Sequence, residues 1–396
     1  PRTGEILNAS VYLPANVASY FYTSRTEETM AVDPSVRKAR LSEEQFGEMF
    51  KAKMMQAIGR CLGLTDNYAA SSVYPVDSLR SASFTRKYGV VASVMDDFTC
   101  NKIAQPEDVK KGVVLVQQNL GPYDYEVIKY LYKPIMEVKH FREEKAVLGQ
   151  WIKEMQDKPY CLYMQTPDNW AKFDPRVSRK DLGDDPVKAA GYGIKNLKYV
   201  LAHLNEWVGD TDKDYTFRQE IYNEIVYQYV RYLNHVTFNI GGVYLNERYD
   251  GDARPGYQVV PREKQERALQ FLLEQVKDLT WLSAKELRKT MPLMGDVTGF
   301  LEDEIFKILT NRLNAVAINV QQATEKDPLT PEIYFSKMYD FIFAPTKQGK
   351  SLSAVEKKLQ IKFVAQLISN SGVVAKDMGG QPFTLATERQ MVAIPE

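Results

Sequence analysis

The stretch "MMQAIGRCLGLTDNYAASS", residues 54–72, joins the end of an amphipathic segment to a polar loop, and its reading decides the fold. Upstream, Ser42 followed by Gln45 has the spacing of a capping box. Phe46, Phe50, Met54, Ala57, Ile58, Cys61 and Leu62 then recur at intervals of three and four. That pattern predicts an amphipathic helix, stopped at Gly63. At 100° per residue, Gln56 and Arg60 share a flank away from the centre of the Phe50–Met54–Ile58 stripe. Two polar side chains one turn apart therefore leave the helix together, on a face that is not simply core.

Around this helix the first half of the chain mixes short extended pieces with helices, and the second half reads as almost entirely helical, with the break near Pro134. "EILNASVYLP" (5–14) alternates polar and apolar residues, which predicts an edge strand ending at Pro14. Helical spacing predicts further helices at about 123–133, 143–156, 185–207, 214–235, 262–277, 297–322, 331–342 and 353–370. "HVTFNIGGVYLNERYDGD" (235–252) interrupts them with β-branched and aromatic residues around Gly241–Gly242, the signature of one hairpin or a functional loop. The expected fold is a helix-rich α+β one, divided into 1–135 and a mainly α-helical 136–396. No fixed-period repeat or low-complexity tract is present.

Metzincin zinc peptidases carry H-E-x-x-H-x-x-G-x-x-H: two histidines one turn apart, a glutamate base, a glycine that turns the chain, and a third ligand beyond it. Laid over residues 56–66, the template meets Gln56, Ala57, Arg60, Gly63 and Asp66. The later stretches "NYAASSVYPVDSLRSASFTRKYG" (67–89), "ASVMDD" (92–97), "AQPEDV" (104–109), "GPYDYEVIKYLYKP" (121–134) and "DPRVSRKDLGDDPVKAAGYGIKNL" (174–197) continue the comparison. With "PRTGEILNA" at the start, they resemble blocks of large bacterial zinc-dependent metalloproteases of metzincin type over most of residues 1 to 210. The resemblance implies a metzincin-like catalytic-domain remnant of edge strand, active-site helix and Met-turn, with Met95 in the Met-turn, followed by the helical C-terminal region. It also implies an exported location, in the periplasm or cell envelope.

The resemblance does not carry the chemistry over. Gln56 would offer a neutral amide oxygen where the first imidazole belongs, a feeble zinc ligand. Arg60 is permanently cationic, and two unit charges about 4 Å apart interact by roughly 4 kcal/mol at an effective dielectric near 20. A divalent ion would meet about twice that, repulsively. Ala57 lacks the carboxylate that would take a proton from bound water, a role worth roughly 10² to 10⁴ in rate. Asp66 alone is a plausible remnant ligand. Arg60 is expected to pair with Asp66, or with Asp96 or Asp97, so that an ion pair replaces the metal.

Other constellations read as structural. His140, His203 and His235 are widely separated, and the bland reading of each is a core or helix-end histidine. Asp210, Asp212 and Asp214 open like a calcium loop, but Tyr215 and Ile221 stand at its glycine and glutamate positions, so a helix start is expected instead. "DLGDDP" (181–186) reads as a cap and proline start for a helix. Cys61, Cys100 and Cys161 form neither a disulfide framework nor a zinc knuckle. Cys61 and Cys100 would approach each other if the Met-turn packs under the helix. No phosphate loop, nucleophile elbow or dinucleotide fingerprint occurs.

Lys+Arg 51 balance Asp+Glu 51, which disfavours nucleic acid as a partner. No uninterrupted apolar run approaches the roughly 18 to 20 residues of a membrane span. The opening "PRTGEIL", with neither initiator methionine nor signal-peptide pattern, is expected of a segment cut from something longer, whose upstream domains would be partners. The expectation is therefore a metzincin homologue without zinc or cofactor, a pseudoprotease that holds a peptide or protein in the old cleft. An active zinc metallopeptidase with an atypical site is the alternative, and a structural or interaction module a third.

Overall fold

The computed structural model describes residues 5–14, 16–97, 99–156, 158, 160–165, 173–209, 212–246, 248, 254–289, 295 and 297–370. They are mostly helical, with a single two-stranded sheet among the described residues. The chain divides into two compact units, Pro1–Thr330 and Pro331–Glu396. No helix among the described residues is long and apolar enough to cross a membrane.

The first unit opens with α1 (Val17–Thr29) and α2 (Glu43–Cys61). Ser42 caps α2 as its sequence predicts: its N–H donates to Gln45 Oε1 (2.9 Å), and Gln45 N–H donates to Ser42 Oγ (3.3 Å). Gly63, at φ 83°, ends the helix, and Leu64 N–H turns back to Gly59 O at 3.0 Å. Three short helices follow: α3 (Val76–Leu79), α4 (Ala82–Tyr88) and α5 (Pro106–Lys110). Next come α6 (Pro122–Tyr132) and α7 (Phe141–Gln156), which pack on each other.

Two long helices, α8 (Pro186–Val208) and α9 (Thr216–Thr237), form the most extensive packing pair. Ile194, Leu197, Val200 and Leu204 of α8 are buried, as are Ile225, Tyr229, Tyr232 and Val236 of α9. Gly193 lets the two helices close, because a Cβ there would overlap the Tyr232 ring. The α9 start uses Asp212, whose carboxylate accepts from the N–H groups of Phe217 (3.1 Å) and Arg218 (3.0 Å). Asp214 accepts from Thr216 N–H at 3.2 Å, while Asp210 lies outside the described residues. Both contacts fit the helix-start reading.

Of the segment 235–252, His235–Thr237 end α9, and just after Gly241–Gly242 the chain enters β1 (Val243–Leu245), which pairs antiparallel with β2 (Tyr257–Val259) beyond the segment, Tyr244 opposite Gln258. After it, α10 (Arg262–Lys277), the one-turn α11 (Lys285–Arg288) and α12 (Val297–Asn319) complete the unit, with α10 against α9 and α12. The second unit pairs α13 (Pro331–Lys347) with α14 (Ala354–Asn370) through the rings of Phe335, Tyr339, Phe343 and Phe363.

Two expectations are corrected. Glu5–Pro14 forms no strand: it has no regular secondary structure and leaves Leu7 and Tyr12 exposed at 74% and 89%. Alternation alone does not make a strand, which needs a neighbour to accept its ladder, and no such pairing exists among the described residues. The buried face of α2 is Gln45–Met49–Ala52–Gln56–Gly59 and not the Phe50–Met54–Ile58 stripe; Ile58 is half exposed. The helix is rotated because its inner side meets polar backbone that Gln56 can satisfy and a methionine that only Gly59 admits.

Candidate functional site

The last two turns of α2 direct Gln56 to the turn around Met95 and Arg60 to the loop 64–72, with Lys53 against Gln56. Met95 is fully buried with Leu64 and Val94, directly beneath Gly59, where an added Cβ would stand 2.5 Å from its sulfur. The loop is tied to this turn by backbone: Asn67 N–H donates to Met95 O (3.0 Å) and Ala92 N–H to Ala70 O (3.1 Å).

Gln56 is buried and uses both ends of its amide. Nε2 donates to Asp96 O at 2.7 Å, and Oε1 accepts from Lys53 Nζ at 2.7 Å. Arg60, half exposed, directs Nε (3.1 Å) and Nη2 (2.7 Å) to one oxygen of Asp66. The other oxygen of Asp66 accepts from Tyr68 OH at 3.3 Å. Of the three carboxylates considered for Arg60, the structure pairs it with Asp66. Ala57 is half-buried and brings no polar atom.

Asp96 takes no part in that pair. It is buried, with Oδ2 accepting from Ser71 N–H and Oδ1 from Asp97 N–H, each at 2.6 Å. Burial first, then the charge of Asp181, pushes its carboxyl well above the usual aspartate range. The Ser71 hydroxyl donates to Asp181 at 2.6 Å, so one serine bridges two buried carboxyls. Asp181 is pushed up to about 7 by burial, against the Ser71 hydrogen bond and the charge of Lys102. In "DLGDDP" it is thus Asp185 that caps α8, accepting from Lys188 N–H at 3.0 Å, while Asp181 turns inward.

A family model described as Met-zincin matches residues 38–350. The chain belongs to the Met-zincin family. No curated protein and no solved structure matches it. It is thus a metzincin-type, metalloprotease-like protein in which the helix, loop and methionine turn of this site all fall inside the Met-zincin region.

The other candidate residues of this Met-zincin chain lie apart. His235 is buried in α9 with Nε2 3.1 Å from Arg179 O, and burial pushes it down to about 3. His203 stacks between Tyr199 and Trp207, and His140 is exposed. Cys100 packs its sulfur 3.9 Å from that of Met49, and all three cysteines are free. Among the described residues, no three His, Cys, Asp or Glu side chains converge so as to hold a metal ion.

Sequence reasoning did not single out α1, Ser71, Lys102 or Glu28. Glu28 is buried, accepts from Thr99 Oγ1 (3.1 Å) and Cys100 N–H (2.6 Å), and lies 4.0 Å from the buried Lys102. The buried side of α1 is Ser24, Arg25, Thr26, Glu28 and Thr29 with a single aromatic, Phe21, so no apolar period announces it.

The groove beside α2 has two adjoining parts. An open part of about 310 Å³ is lined by Arg60, Asp66, Tyr68 and Gln165. A deeper cavity of about 410 Å³ is lined by tyrosines 123, 130, 160 and 163 together with Val127 and Met155. Leu64 and Thr65 border both.

Proposed function

We propose that this chain is a pseudoprotease, a Met-zincin that binds a peptide or protein segment in its groove and does not cut it. The observation that carries the reading is the Arg60–Asp66 pair, which occupies the second and third ligand positions of the zinc template. The residues present do not fit zinc. Gln56 already spends its amide oxygen on Lys53, Arg60 is a cation, and Asp66 is engaged by that cation. Ala57 cannot act as a general base. What remains is shape: an apolar, tyrosine-lined cavity with polar groups at its mouth, the composition typical of ligand sites.

The test is cleavage set against binding. Quenched-fluorescent peptide libraries incubated with the protein and added zinc should stay intact, while immobilised peptides of the same libraries should retain it. Chelator-sensitive cleavage would favour the atypical metallopeptidase, and absence of any retention a purely structural module.

A further inference from the structure

Beside the groove, α2 carries an ammonium that no carboxylate of the described residues meets at ion-pair distance. Lys53 is half-buried, and its ammonium makes one hydrogen bond, to the neutral Gln56 Oε1. No carboxylate oxygen of the described residues lies within 4.0 Å of it. Loss of hydration is the largest influence on it, followed by repulsion from Arg60, then the attraction of Asp97 and Asp66, with Lys180 adding repulsion. An ammonium partly taken from water and answered by an amide alone is a net cost to the fold. Arg60 adds a second unused donor: Nε and Nη2 serve Asp66, and Nη1 has no partner among the described residues. Lys180 lies 5.4 Å over the Tyr20 ring, and its countercharge, Glu28, acts from beyond ion-pair distance.

Lys53 and Arg60 are seven residues apart on one helix face, about 10 Å along the axis. Their long side chains span that distance, with Gln56 between them. Arg60 lines the open mouth of the groove, and Lys53 stands on the same helix face just outside that lining, beside a deeper part rich in tyrosine. We infer that this groove selects a peptide bearing a carboxylate beside an apolar or aromatic residue, the carboxylate held by Lys53 and Arg60 Nη1 and the apolar side chain entering the tyrosine-lined cavity. A single carboxylate fits better than a polyanion, because Asp66 and Asp97 flank the cations. The inference rests on the peptide-binding reading above and adds the chemistry of the ligand.

Three sets of degenerate, end-blocked heptapeptides, fixed only at a central Glu, Gln or Lys, test it by fluorescence anisotropy with the whole chain. A fourth set, neutral in its side chains but with a free C-terminus, separates a terminal carboxylate from a side-chain one. The Glu or free-acid set should bind about tenfold tighter than the Gln set, as expected for a charge-assisted hydrogen bond. Lys53→Met and Arg60→Gln should each bring the ratio of Glu-set to Gln-set affinity, measured in the same variant, close to one. A raised or unchanged melting temperature for Lys53→Met keeps misfolding out of the comparison. Equal binding of carboxylate and Gln sets overturns the inference and leaves peptide binding standing. No binding by any set overturns both.

Discussion

Arg60 and Asp66, six residues apart across the end of α2, meet through two guanidinium nitrogens on a single carboxylate oxygen. The pair closes the helix onto its own return loop, at the two positions that meet the second and third ligands when the zinc template is laid over the sequence. Its side chains are 50% and 29% exposed, so it is solvated and screened. A double-mutant cycle of Arg60→Ala and Asp66→Ala, read by urea unfolding, should give a coupling of about 0 to 1 kcal/mol. A coupling of several kcal/mol would mean that the pair is a buried structural element and not an occupant of an open site.

The floor of the site should be more sensitive. Alanine is ordinarily better than glycine inside a helix by about 1 kcal/mol. At Gly59 the added methyl would press on the buried Met95 sulfur, so Gly59→Ala should instead destabilise by roughly 1 to 3 kcal/mol. Met95→Ala in the same chain should recover part of the loss. A more stable Gly59→Ala would mean that Met95 does not pack under α2.

The bridged carboxyls make a pH prediction. Asp181 titrates at about 7 in the folded chain and near 3.9 when unfolded. Between those values the folded state holds the extra proton, so this group's contribution to stability falls as pH rises from about 4 to 7. His235 works the other way: held neutral by burial, it contributes stability that is lost as pH falls from about 6.5 toward 3. The two offset each other in the wild type over their shared range. Asp181→Asn removes one, so the variant should gain stability relative to wild type at pH 8 compared with pH 5, by at most about 2.7 kcal/mol in free energy, the two pH units from 5 to 7. An identical difference at both pH values would show that Asp181 is an ordinary aspartate.

How far the sequence carried the structure depends on the range of each interaction. The cap at Ser42–Gln45 and the stop at Gly63 are local, and their residues declare them. The Ser71–Asp181 bond joins positions 110 apart, and no spacing rule connects them. Periodicity found α2 but chose the wrong face. It counts apolar residues and cannot see that Gln56 has a carbonyl waiting for it at Asp96 or that Gly59 fits over Met95. For the same reason it missed α1, whose inner face is satisfied by hydrogen bonds to Thr99 and Cys100. The alternating Glu5–Leu13 segment promised a strand that nothing among the described residues pairs with.

If the scaffold positions its helix as a metzincin does, the template's ligands can be built into it. Gln56→His, Ala57→Glu, Arg60→His and Asp66→His together should create a site that binds zinc at about one ion per chain, read by titration against a chromophoric chelator. The same four changes without zinc binding would show that the loop after Gly63 does not return as the template requires.

The most direct measurement is the metal content of the wild-type chain, purified without metal-affinity steps and dialysed in the presence of excess zinc before free metal is removed. A pseudoprotease should carry far less than one zinc per chain by elemental analysis, unchanged when Asp66 is replaced by Asn. One tightly held zinc per chain, lost on Asp66→Asn, would contradict that reading.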